Sequence, residues 1–190
     1  MTLDEFLDWD DGSDTRYELW DGVIVAMAPP MPLHGRLASR LIRRLGAALD
    51  GRAPCDVYTE AGIVRPDRND TFYVADIAVS CEVLRPDERL LREPVLIVEV
   101  LSPSTGISDR QIKLADYRSI PSVQEILLID SQSMFAELHR RDGERWVTEI
   151  VRGGDGTLTL ASIPERLVMA QLYEGIPLPE PRPLLAGNVP

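Results

Sequence analysis

The apolar positions of this chain change period several times, and each change marks an element. Leu3, Phe6 and Leu7 follow Thr2, and Glu5 stands where a capping box needs it, so a short helix is expected there. Tyr17–Trp20 and Val23–Met27 surround Asp21-Gly22, a hairpin signal because glycine tolerates the positive φ of a tight turn. Pro29, Pro30 and Pro32 break the chain, and from about Leu33 to Leu49 the period becomes helical. Leu37, Leu41, Ile42, Leu45, Ala48 and Leu49 form its apolar stripe.

Three strand-like runs follow, at about 56–64, 72–80 and 94–101. A helix is expected over 109–119, stopped by Pro121, and then an apolar strand over 123–130. Weaker strands fall at 135–140, 146–151 and 157–160, with Asp142-Gly143 as a further hairpin turn. The proline-rich tail from about 176 reads as extended or disordered. The order helix, three strands, helix, strand predicts an α/β fold over residues 1–175. Its mixed central sheet is flanked by helices, with an N-terminal hairpin and extra C-terminal strands.

Two charges interrupt the apolar strands. Val95-Leu96-Ile97-Val98-Glu99-Val100-Leu101 is apolar on both faces, as a covered central strand is. A lone carboxylate at Glu99 costs several kcal/mol in effective terms unless it is paired, protonated or bound to a cation. Asp76 breaks the run Phe72–Val79 in the same way. If both lie on one face, they make an oxygen-rich site for a hard divalent cation. Asp109, Lys113 and Tyr117 are spaced i, i+4, i+8 on the following helix, with Ile112 and Ile120 beside them, so Lys113 is expected to face the sheet. The alternative is structural: Asp76 at a strand end, and Glu99 paired with Lys113 as a simple salt bridge. The small polar loop Ser102–Gly106 fits a site mouth, whereas Ser104 or Ser108 also suit helix capping.

Composition changes this picture little. The 190 residues are 44% hydrophobic and 27% charged, ordinary for a globular protein, but the net charge is -11. That charge counts against tight non-specific DNA binding. It conceals a basic stripe on the long helix, Arg36, Arg40, Arg43 and Arg44, which is either a solvated face or a DNA contact. Cys55 and Cys81 match no metal or redox spacing and are expected to be free, buried thiols suited to a reducing cytosol. With no leader pattern at Met1–Glu5 and no long apolar run, a cytoplasmic protein that does not enter membranes is expected.

The segment Tyr17-Glu18-Leu19-Trp20-Asp21-Gly22 through Pro30, then His34, Asp76, Val98-Glu99-Val100-Leu101-Ser102-Pro103-Ser104-Thr105, Asp109, Lys113 and Tyr117 resembles the Uma-type family. These are bacterial restriction-endonuclease-like proteins of the PD-(D/E)XK nuclease superfamily, and the likeness runs from the first helix to about Trp146. The resemblance implies a restriction-endonuclease-like core, DNA as substrate, and Mg²⁺, or Mn²⁺, held by Asp76 and Glu99. The lysine usual two residues after the second acid is replaced by Leu101, and Lys113 is its natural substitute. Ala75 stands where proline usually precedes the first acid. Glu18, His34 and Tyr117 match motif positions and are expected to support the site. His34 either contacts phosphate or metal-bound water or is a core histidine, and an outward strand charge is the default for Glu18. Exposed apolar positions in the hairpin and C-terminal strands make a homodimer the expected assembly. The competing readings are a catalytically silent relative that binds protein or nucleic acid, and a phosphoesterase acting on something other than DNA.

Overall fold

A computed structural model describes residues 1–103, 106 and 109–179, with the side chain of Asp109 outside that set. Ser104 and Ser108 as helix caps, Asp109 as a third inward group and most of the proline-rich tail therefore lie outside the described residues. Helix α1 (Leu3–Leu7) carries the expected capping box, Thr2 and Glu5 each accepting the other's backbone N–H. The hairpin β1 (Tyr17–Trp20) and β2 (Val23–Ala26) turns at Asp21 and Gly22, whose φ values of 48° and 80° give the twist that matches the flanking strands. Helix α2 (Pro32–Leu49) then precedes β3 (Asp56–Ile63), β4 (Tyr73–Ser80) and β5 (Pro94–Leu101).

A π-helical turn (Asp109–Lys113) runs into α3 (Leu114–Ser119) and leads to β6 (Glu125–Asp130). Strands β7 (Phe135–Asp142) and β8 (Arg145–Arg152) form a second hairpin around Gly143, which has φ 60°. Strands β9 (Thr157–Leu160) and β10 (Glu165–Val168) form a third, followed by α4 (Met169–Leu172). The last two elements are four residues each, too short to leave a period in the sequence.

The central sheet has the order β3-β4-β5-β6-β7-β8, and only β5 and β6 pair in parallel. A parallel pair needs a crossover, and the segment containing α3 supplies it. The two sheet faces bury separate cores. Leu37, Leu41, Leu45 and Leu49 of α2 pack with Val98, Val100 and Leu127 on one face, which the β9–β10 hairpin and α4 extend through Leu158, Leu167 and Leu172. Leu114 and Tyr117 of α3 pack with Tyr73, Ile97, Leu101 and Leu128 on the other. No helix among the described residues is long and apolar enough to cross a membrane.

The expectation of free thiols is overturned. Cys55 and Cys81 are joined by a disulfide rather than free. The antiparallel register explains it, because Asp56 faces Ser80 and the next pair outward is the two cysteines. Their distance in sequence disappears once the hairpin forms, and the free-thiol case for a reducing compartment goes with it.

Candidate functional site

The site forms where β4 and β5 stop bonding to each other. Their ladder runs as far as Ile77 opposite Val98, and the next residues are Asp76 and Glu99. Side chains replace the missing ladder bonds: Asp76 Oδ2 accepts the Val100 N–H at 2.7 Å, and Glu99 Oε2 accepts the Asp76 N–H at 3.4 Å. Each carboxylate thus satisfies a backbone donor that the splayed strands would otherwise leave bare. His34, in the first turn of α2, brings Nε2 to 3.0 Å from Asp76 Oδ2. That oxygen is doubly engaged, whereas Asp76 Oδ1 accepts no hydrogen bond from the described residues.

Glu99 is 2% exposed, and its Oε1 accepts the Tyr117 hydroxyl at 2.6 Å. Lys113 Nζ stands 3.5 Å from the same oxygen and 2.8 Å from Glu18 Oε1. Glu18 reaches this place because β1 docks on the start of β4, where Leu19 and Phe72 exchange backbone hydrogen bonds. Its carboxylate also takes the Val74 N–H at 2.8 Å and the Trp20 indole N–H at 2.9 Å. The outward orientation expected of Glu18 is therefore wrong: it is 3% exposed, buried by the docking of one hairpin on another strand, which no local pattern encodes.

Lys113 is buried at 6% exposure and faces the sheet as expected, but Ile112 does not flank it inside the fold and is 39% exposed. Adjacent residues of a helix point about 100° apart, so Ile112 turns away from the face that Lys113 presents to the sheet. The His34 ring is largely covered and is held by Asp76.

Asp76, Glu99, Lys113 and His34 all line one cavity of about 300 Å³. Part of its lining is apolar, made by Met27, Pro29, Pro30 and Met31 before α2 and by Ala38 and Ile42 on it. Arg16 and Glu60 also line it and form an ion pair. Sequence reasoning missed this pair, although the left-handed φ of 51° at Glu60 singles that residue out in three dimensions. The basic stripe of α2 is partly committed elsewhere: Arg40 donates to the Leu172 carbonyl at 2.7 Å, and Arg44 binds the Glu165 carboxylate.

Among the described residues no group of three His, Cys, Asp or Glu side chains stands at metal-holding spacing. A magnesium ion does not require one, since it keeps several waters and is commonly bound through one or two carboxylates. The donor set fits that ion: two hard carboxylates on neighbouring strands, one of them with an uncommitted oxygen.

Comparison with known proteins bears on the family and the fold. A family model named Uma2, described as "Putative restriction endonuclease", matches residues 3–171. Two uncharacterized proteins of Synechocystis sp. are similar over most of their length. One is 29% identical over 178 residues, 93% of each chain. The other is 28% identical over 156 residues, 80% of this chain and 88% of the relative. A crystal structure from Anabaena variabilis, described as a "putative nuclease belonging to DUF820", superposes with a TM-score of 0.73. It is 21% identical and covers 91% of this chain and 97% of its own, a likeness of fold.

Proposed function

We propose, since the chain belongs to the Uma2 family, that its cavity is the active site of a metal-dependent nuclease hydrolysing phosphodiester bonds of DNA. The observation that carries this reading is the meeting of Asp76 and Glu99 at the splayed end of β4 and β5, with Asp76 Oδ1 uncommitted beside a cavity. In this reading Asp76 and Glu99 hold Mg²⁺, with Mn²⁺ as a substitute. The bound ion supplies Lewis-acid polarisation of the phosphate and a water of lowered pKa.

The chain's own residues arrange the rest. His34 and the Val100 N–H fix Asp76 Oδ2, and Oδ1 accepts no hydrogen bond from the described residues. The Tyr117 hydroxyl fixes Glu99 Oε1. Lys113, held by Glu18, offers a positive charge to the phosphate from the wall where Leu101 supplies none. Its burial makes that charge act through little water, so its effect on developing negative charge is larger than a surface lysine's.

A homodimer and a cytoplasmic location belong to the same proposal. The first is supported by β8, the last strand of the sheet, which carries exposed Val147 and Ile150. The second is supported by the nucleic-acid substrate rather than by cysteine chemistry. Calorimetric titration of Mg²⁺ and Mn²⁺, with cleavage of DNA read on gels, tests the enzyme. Metal binding that persists unchanged in both Asp76→Asn and Glu99→Gln sinks it. Metal bound at these acids, with DNA and RNA left intact, moves the reading to a non-cutting relative or to another phosphodiester.

A further inference from the structure

Resting on the nuclease reading, the cavity also says which form of nucleic acid fits. Glu99 and Lys113 are 2% and 6% exposed, so a phosphate reaches them only by entering the cavity. The same cavity is lined on its apolar part by Met27, Pro29, Pro30, Met31, Ala38 and Ile42. A site that held only phosphate has no use for such a wall. Met31 leaves 50% of its surface exposed beside it, an apolar contact surface at the cavity.

Of the α2 stripe, Arg40 and Arg44 are tied to the C-terminal elements, Arg36 and Arg43 remain exposed, and the chain's net charge is -11. Arg16, paired with Glu60, is the lining cation besides Lys113 among the described residues. Two exposed arginines on an acidic chain are a small footprint for gripping a duplex along its length, which favours recognition by filling the cavity.

We infer that the apolar wall receives an unpaired nucleobase next to the phosphate held over Asp76 and Glu99, so that the substrate is single-stranded or locally opened nucleic acid. A base presents a flat face that proline rings and methionine thioethers pack against, and about 300 Å³ is room for one such group and its linked phosphate. In a paired duplex that face is stacked, and extruding it costs a few kcal/mol.

The test compares three probes on the full chain, with Ca²⁺ replacing Mg²⁺ to prevent cleavage: an oligothymidylate, an abasic strand with the same number of phosphates, and a blunt duplex of equal length. The oligothymidylate is expected to bind about tenfold or more tightly than either other probe. Ala38→Trp, which fills the cavity, is expected to lower its binding by about tenfold. Equal binding of the abasic strand, or equal or tighter binding of the duplex, overturns the inference, and this comparison needs no variant to fold. Mg²⁺ titration of the wild type and of Asp76→Asn runs alongside. Metal bound through Asp76 without preference for the oligothymidylate removes this inference and leaves the nuclease standing, whereas absence of such metal binding removes both.

Discussion

Glu99 on β5 and Glu125 on the adjacent β6 are both carboxylates buried within apolar strands, at 2% and 1% exposure. Glu125 is saturated. It accepts the backbone N–H groups of Ala161 and Ser162 at 2.9 and 2.8 Å, the Ser162 hydroxyl at 2.6 Å and Arg140 Nε at 2.8 Å. Those bonds tie the β9–β10 turn to the sheet, and the group has nothing left to offer a ligand. Glu99 instead shares its surroundings with a second acid, a buried lysine and a cavity. Burial of charge alone therefore does not identify a site; Glu99 differs from Glu125 in lining a cavity that it shares with a second acid and a buried lysine.

The largest expected contrast is in cleavage. Asp76→Asn or Glu99→Gln lowers Mg²⁺-supported DNA hydrolysis by about a thousandfold or more, read from initial rates on gels. Rates within tenfold of wild type would erase the distinction between the two acids. Glu125→Ala acts on the other side of the comparison. It leaves Arg140 and the β9–β10 turn without their buried partner and costs about 3–5 kcal/mol in urea unfolding. Its cleavage rate per folded molecule stays at the wild-type value.

Legibility follows the same division. The strands, the α2 stripe and both predicted turn dipeptides were readable because each rests on local periodicity or on the φ tolerance of glycine. Yet Glu125 interrupts Val123–Ile129 much as Glu99 interrupts its own strand, and periodicity does not separate them. Only the motif around Glu99 did so. Glu18, the Arg16–Glu60 pair and the Cys55–Cys81 link were not legible as partners, because each depends on how distant segments register. Tyr117 was legible as a motif position, whereas its bond to Glu99 was not.

A pH titration sharpens the contrast further. His139 lies outside the cavity, 3% exposed, with Arg118 2.9 Å from its Nδ1. Burial, then Arg118, lowers its pKa from 6.5 to about 4. The folded state keeps the ring neutral while the unfolded chain takes up a proton below about 6.5. Stability is therefore fully present above about pH 6.5 and falls as pH drops toward 4, by an amount on the order of 3 kcal/mol. His139→Leu should flatten that part of the curve in denaturant unfolding, and an unchanged slope would reject the assignment. The smallest effect is Tyr117→Phe, which removes one hydrogen bond to Glu99. It is expected to lower stability by about 1 kcal/mol, measured as a shift in the urea midpoint.

The attachment of α2 to the end of the fold has a consequence in time. His34, Ala38 and Ile42 form one wall of the cavity, and the helix carrying them is pinned by Arg44 to Glu165 and by Arg40 to the Leu172 carbonyl, 121 and 132 residues later. A ribosome has long since released α2 when those residues emerge. Until then the helix lacks its final anchors, and the acids on β4 and β5 face a wall not yet fixed. A growing chain thus gains the last anchors of this pocket only when its final elements arrive, after the strands that carry the acids.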